Sequence, residues 1–320
     1  MSANFDVFNG DADGICALHQ LRLTYPVSAT PITGTKRDIK LLEKVEARAS
    51  DSVNVFDISM GQNKDALLYL LSLGVKVTYF DHHFVGTLAR HPNLIAVTDM
   101  APDTCTSVLV DRYVGAQHRA WAVVGAFGGN LSSLARRIAE PLKLSAQYLD
   151  RLEDLGQCMN YNAYGETVDD LYFHPAELYR LIKPYSDPLR FAEREASVVD
   201  KLREGRLDDL SRAAETTAQL AAPHAAVYVL PDAPWSRRVR GEFANQLARM
   251  HAVRAHAVLT RNANNGYTIS VRAPLSKPTG ADEFCLGFET GGGRPMAAGI
   301  NHLAEQRLEE FSRQFLSHFS

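Results

Sequence analysis

The first hundred residues alternate short apolar runs with stretches of helical periodicity. Phe5-Asp6-Val7-Phe8, Val53-Asn54-Val55-Phe56 and Val75-Lys76-Val77-Thr78-Tyr79-Phe80 are rich in β-branched and aromatic residues, the pattern of buried strands. Residues 28–34 and 94–98 are further strand candidates. Between these runs, Ile15, Ala17, Leu18 and Leu21 recur at helical spacing, as do Ile39, Leu41, Leu42 and Val45. So do Ala66, Leu67, Leu70 and Leu71, where Gly74 closes the helix. Strand and helix in alternation predict an α/β fold with a doubly wound parallel sheet.

Residues 105–190 read as mainly helical. Residues 188–222 are polar and helix-prone and stop at Pro223, as a connecting helix would. A second α/β part then opens with the strand Ala225-Ala226-Val227-Tyr228-Val229-Leu230. A basic turn at Ser236-Arg237-Arg238-Val239-Arg240-Gly241 leads into a helix carrying Phe243, Leu247 and Met250. The Asn264-Asn265-Gly266 turn predicts a hairpin, and Leu303, Leu308, Phe311 and Phe315 predict a last amphipathic helix. The expected organisation is a first domain over 1–190, a helical linker over 191–222 and a smaller C-terminal domain over 223–320.

Composition narrows the class. The 320 residues are 46% apolar, with no apolar run long enough to span a membrane. The N-terminal Met1-Ser2-Ala3-Asn4 has no basic-plus-apolar leader, and Cys16, Cys105, Cys158 and Cys285 lie far apart. Both features suggest a cytoplasmic protein with reduced thiols and no zinc site. Residues 1–220 carry 23 cationic against 29 acidic side chains, whereas residues 221–320 carry 11 against 8, ten of the 11 being arginine. That excess is too small for a long duplex-binding surface, but arginine suits a grip on phosphate.

Chemistry gathers where the strands end. The first apolar run leads to Asn9-Gly10-Asp11-Ala12-Asp13-Gly14, the second to Asp57, the third to Asp81-His82-His83. In a parallel sheet these ends share one edge, the edge where α/β folds bind ligands. A lone polar strand end facing water has the same look. Three that agree would crowd Asp11, Asp13, Asp57, His82 and His83 together, which is costly unless a cation sits among them. An oxygen-rich set with one or two imidazoles suits Mn²⁺ or Mg²⁺. Elsewhere, Gly291-Gly292-Gly293-Arg294 reads either as a glycine nest for an anion beside a phosphate-gripping arginine or as a flexible loop. Arg272 ends a strand and reads as a substrate contact or a surface arginine. Asn160-Tyr161-Asn162-Ala163-Tyr164-Gly165 offers amides and rings to a base, or forms an Asx turn with packed tyrosines. His118, His174, His251 and His256 stand outside any cluster.

In this order, Gly10-Asp11-Ala12-Asp13-Gly14, Asp57, Asp81-His82-His83 and Gly291-Gly292-Gly293-Arg294 resemble the DHH phosphoesterases. That superfamily includes RecJ-type single-strand exonucleases, nanoRNase-type oligoribonucleases, cyclic-dinucleotide phosphodiesterases and manganese pyrophosphatases. The resemblance spans nearly the whole chain. It implies a metal-bearing DHH domain and two Mn²⁺ ions, with Asp57 bridging, Asp11 serving one ion, and Asp13 with His82 serving the other. His83 would face the scissile phosphate and Asp81 would orient an imidazole. It also implies substrate contacts at Arg272, Gly291, Gly292, Gly293 and Arg294, and at the segment of Asn160, Tyr161 and Asn162.

Two positions depart from the family pattern. Val7 stands where many members have a histidine ligand, and Gly129 where RecJ-like members have an aspartate that completes the second ion's shell. The expected activity is hydrolysis of a short single-stranded oligonucleotide or dinucleotide, with the site in a cleft between the domains. Alternatives are a nucleotide 3′-phosphate phosphatase, a RecJ-like exonuclease, and a nucleotide-binding protein that has lost a metal. The oligomeric state, a homodimer included, is left open.

Overall fold

The computed structural model describes residues 2–86 and 90–320, so Met1 lies outside the described residues. The chain forms two compact units, Met1–Arg203 and Glu204–Ser320.

The first unit is built on five strands: β1 (Asn4–Phe8), β2 (Thr30–Ile32), β3 (Ser52–Phe56), β4 (Lys76–Asp81) and β5 (Leu94–Thr98). All pairs are parallel, in the order β2-β1-β3-β4-β5. Register aligns Val7 with Val55 and Tyr79, and Phe8 with Phe56 and Phe80. Because successive side chains point to opposite faces, each row feeds its own core. Val7, Val55 and Tyr79 pack with Leu67, Leu70 and Leu71 of helix α2 (Lys64–Ser72). Phe8, Phe56 and Phe80 pack with helix α1 (Ala12–Thr24), which is buried from Ala12 to Arg22.

Helices α3 (Thr106–Tyr113), α4 (Arg119–Gly128), α5 (Ser132–Ala139), α6 (Ala146–Tyr161), α7 (Pro175–Ile182) and α8 (Pro188–Arg194) account for the helical region. Helix α9 (Ala196–Ala214) runs through the division between the units. Among the described residues, no helix is long and apolar enough to cross a membrane.

The helix expected from Ile39 to Val45 is absent. Only a 3-10 turn forms, at Leu41–Lys44. The Asn63 side chain takes over this backbone, accepting from Leu42 N–H and donating to the Ile39 carbonyl. A buried amide from elsewhere in the chain outcompetes the local helical bonds.

The second unit has strands β6 (Leu220–Ala221), β7 (Ala225–Val229), β8 (Ala255–Asn262), β9 (Gly266–Arg272), β10 (Gly291–Arg294) and β11 (Ala297–Ala304). Their order is β10-β11-β9-β8-β7-β6, antiparallel except for β7 and β8. Helix α10 (Pro234–Met250) makes the parallel crossover; α11 (Ala281–Leu286) and α12 (Leu308–His318) complete the unit. Phe284, Phe311 and Phe315 meet edge to face or stacked in its core.

Two local readings change in this unit. Ser236–Gly241 is not a turn, because Pro234 at the first helical position starts α10 ahead of it. The glycine run is a strand rather than a loop. A Cβ at Gly291 would lie 1.7 Å from the Cys285 carbonyl oxygen, and Gly293 has φ 150°. These glycines admit close backbone packing. Opposite this run, Ala297-Ala298-Gly299 lies in β11, where small residues mark a crowded strand.

His256 lies on β8 with no solvent exposure, beside the rings of Tyr228 and His251. Burial, then the charges of His251 and Arg254, lowers its pKa to about 4. A depressed folded pKa means the unfolded chain gains a proton first as pH falls. Stability should therefore be lost between about pH 6.5 and 4, by roughly 3 kcal/mol for this residue. Urea unfolding across that range should show a shallower acid limb for His256→Leu than for the wild type.

Candidate metal centre

The parallel register delivers the acidic residues to one place. Beyond the aligned Phe8, Phe56 and Phe80, the ladder continues through Asn9 N–H to the Phe56 carbonyl (3.1 Å) and Asp57 N–H to the Phe80 carbonyl (3.0 Å). Asp57 then turns with φ 58°, and Asp81 closes β4. Asp11 caps α1, accepting Gly14 N–H at 2.9 Å on Oδ1, while its Oδ2 is ion-paired to the Lys36 ammonium. Asp13 accepts two N–H groups at the start of α3, Thr106 on Oδ2 and Ser107 on Oδ1, each at 2.8 Å. The helix N-terminus stabilises that carboxylate.

Asp57 Oδ1 accepts the Thr106 hydroxyl at 2.9 Å and lies 3.4 Å from His82 Nε2. Asp81 is fully buried; its Oδ2 takes Met60 N–H, and its Oδ1 holds His83 Nδ1 at 2.7 Å. The Nε2 end of His83 is then the end left for a ligand. Asp57, His82 and His83 each present one donor atom, and the three atoms lie within 4.8 Å of one another. These residues, with Asn9, Asp11, Asp13, Lys36 and Gly129, line a cavity of about 230 Å³.

Its electrostatics are those of a cation site. Burial, with the charges of Asp11 and Asp13, pushes the Asp57 carboxyl up to about 7. At His82 burial acts to lower the pKa, but the Asp57 bond and the charges of Asp13 and Asp57 prevail and raise it to about 9. His83 is raised as well, Asp81 and Asp57 overcoming the burial effect. At Asp11 burial acts upward, yet the Lys36 charge holds the carboxyl below its usual range. An acid and a base that both hold protons this tightly report a strongly negative potential. Three donors of mixed oxygen and nitrogen character fit a divalent ion such as Mn²⁺ or Mg²⁺.

The structure thus brings Asp57, His82 and His83 together, with Asp81 behind His83. Asp11 and Asp13 line the same cavity, with oxygens engaged by Lys36, Gly14, Thr106 and Ser107. Val7 is a core residue of the sheet. Tyr161 and Asn162 are buried. The Asn162 amide bonds both the Phe173 carbonyl and the Phe173 N–H, so it holds a turn rather than presenting itself to a base. The Asn160 Oδ1 atom is buried too. In the second unit, Arg272 donates to Asn245 and to the Gly241 and Val271 carbonyls. Gly292 and Gly291 are half-buried; Gly293 and Arg294 are exposed.

Sequence reasoning missed Lys36 and Thr106. Neither belongs to a motif; each arrives from a segment distant in sequence. A lysine between Gly34 and Asp38, after a short strand next to an acidic strand end, was the available signal for the first.

Two solved structures of RecJ bound to manganese share the fold. One has a TM-score of 0.68 at 17% identity, covering 99% of this chain and 89% of that one. The other, from Thermus thermophilus, has a TM-score of 0.69 at 17% identity, covering 99% of this chain and 52% of that one, so this chain spans about half its length. A pGpG-specific phosphodiesterase from Vibrio cholerae matches with a TM-score of 0.55 at 10% identity over 99% of each chain. Neither a family model nor a curated protein sequence matches the chain. The chain has the α/β fold of the RecJ and DHH proteins, as its motifs led one to expect.

Two substitutions check this geometry. A Cβ at Gly10 would lie 2.2 Å from the Gly34 carbonyl oxygen and 2.6 Å from Pro175 Cγ. Gly10→Ala should therefore destabilise the chain by about 1–3 kcal/mol, read as a lower urea midpoint with an unchanged slope. Gly129 behaves oppositely. Its φ is −74°, and a Cβ would meet only carbonyl oxygens at 3.6 Å. Gly129→Asp should cost less than about 1 kcal/mol and should tighten Mn²⁺ binding in calorimetric titration, since it adds a carboxylate to the cavity.

Proposed function

We propose that the chain is a divalent-metal-dependent phosphodiesterase, with Mn²⁺ as the preferred ion, that hydrolyses short linear oligonucleotides and dinucleotides above all. The observation that carries this reading is the convergence of Asp57, His82 and His83 at the strand ends, with Asp81 bonded to His83. A divalent ion held there would activate water and neutralise charge on a phosphoryl group. The protein's own residues do the positioning. Thr106 fixes the Asp57 carboxylate from one side. Asp81 fixes the His83 ring and its tautomer, as a carboxylate behind an imidazole does. His83, half-exposed at the cavity mouth, is our candidate for contact with the scissile phosphate.

One observation supports a short substrate. The arginines that gave the second unit its basic character are mostly engaged within it. Arg237 pairs with Asp232, Arg238 with Asp209, Arg261 with Glu305 and Arg307 with Glu310. Arg240 bonds Thr260 and Ser270. Charges matched in this way do not make the continuous basic groove that a long single strand needs. Arg294, exposed at the end of β10, is the better candidate for a phosphate contact.

Product analysis with end-labelled di-, tri- and decanucleotides in Mn²⁺ tests the proposal. Turnover should be highest on the dinucleotide and fall with length. Salt should weaken binding only shallowly, with a slope of about 2 on a log–log plot for two or three phosphate contacts. Faster, processive cleavage of the decanucleotide would favour a RecJ-like exonuclease. Binding without cleavage in any divalent metal would favour a nucleotide-binding protein. Within the active enzyme, Asp57→Asn should lower kcat by at least about 100-fold, as expected when the transition state loses a ligand of its metal. Circular dichroism should show the fold retained.

A further inference from the structure

We infer that Lys36 is a built-in cation of this centre, standing at Asp11 in place of one of two divalent ions, so that the protein binds a single ion at Asp57, His82 and His83. The inference rests on the proposed reading of the cavity as a metal centre.

The donor atoms divide unevenly. Asp57, His82 and His83 offer three atoms to one point. The other two carboxylates in the cavity are engaged by the protein. Asp11 gives one oxygen to the α1 cap and the other to the Lys36 ammonium. Asp13 gives one oxygen to each of two N–H groups of α3. Position 129, which could have supplied a further carboxylate, is a glycine lining the cavity. A second hard dication needs several oxygen donors of its own, and a fixed ammonium at Asp11 repels it.

Lys36 is held in place from its backbone. Its N–H donates to the Ala163 carbonyl at 2.9 Å. The segment before it is closed by Asp38, which accepts from Thr35 N–H at 2.8 Å, and by the packing of Gly34 onto Gly10. The ammonium lies 5.9 Å from the Tyr164 ring centroid. Residues 160–164 thus serve the centre by seating Lys36, through Ala163 and Tyr164. An ammonium with three donors can also bond a phosphoryl oxygen, so the exchange keeps a positive contact for substrate.

The test counts ions on metal-free protein titrated with Mn²⁺ by calorimetry, with electron paramagnetic resonance to report coupling between ions. The wild type should bind one Mn²⁺ per chain and show no spin coupling. Lys36→Met should bind two and show coupling; Lys36→Arg, which keeps the charge, should bind one. Two coupled ions in the wild type would overturn the inference and leave the proposed hydrolase standing. A folded Lys36→Met that still binds one ion would overturn it as well. If Lys36→Met does not fold, the wild-type count and Lys36→Arg still decide, since a second ion in either sinks the inference. No ion bound by the wild type would instead remove the metal reading itself.

Discussion

Three carboxylates, Asp11, Asp13 and Asp57, are buried at one sheet edge, and their mutual repulsion is the constraint around which the first unit is arranged. Unpaired, each would be strongly destabilising or would take up a proton. The chain answers each one differently. Asp13 receives the start of α3, Asp11 receives Lys36 and the α1 cap, and Asp57 receives a hydroxyl and His82. Asp57 has its pKa raised by its burial and by the charges of Asp11 and Asp13. It is also the one grouped with two imidazoles. The negative potential is thereby concentrated where two imidazoles already stand, which is how a fold makes a site for a cation rather than merely tolerating acids.

The sheet sets this up through register alone. Val7, Val55 and Tyr79 form one row and Phe8, Phe56 and Phe80 the next, and a slip of one residue would turn every acidic strand end to the wrong place. Both faces are covered, so register is specified twice, once by each core. That is why the sheet and the strand-end chemistry were legible in the sequence: apolar runs, turns and acidic residues lie within a few positions of each other. The partners that complete the site were not legible. Lys36 is 25 residues from Asp11, and Thr106 is 49 from Asp57. Nothing local marks either as a neighbour.

The misread elements share one cause. The helix expected near Ile39 lost to an amide at Asn63, and the glycine run became a strand because Cys285 and Ala298 leave no room for a Cβ. In both places a contact from another segment decided the backbone. Asn162 makes the same point for a side chain. Its amide suits a base edge and a protein backbone equally well, and the Phe173 peptide that it meets distinguishes the two. Composition was subject to the same limit. A run rich in arginine suggests a grip on phosphate, yet Arg237, Arg238, Arg261 and Arg307 meet Asp or Glu of their own unit, and Arg240 and Arg272 bond uncharged oxygens of it.

This division bears on how the proposed catalytic character would be distributed. Groups that must be chemically exact, Asp57, His82 and His83, sit on strand ends whose positions two cores define. Lys36 sits on a connection, and its placement depends on a glycine contact at Gly10 and a carbonyl at Ala163. A dication is replaced from solvent when lost; an ammonium tethered to the chain is always present but is only as well placed as its loop. The inferred centre would have a fixed positive charge at Asp11 and an exchangeable one at Asp57. Occupancy by metal would then govern the Asp57 end alone, and the folded state of the Asp11 end would not depend on the supply of metal.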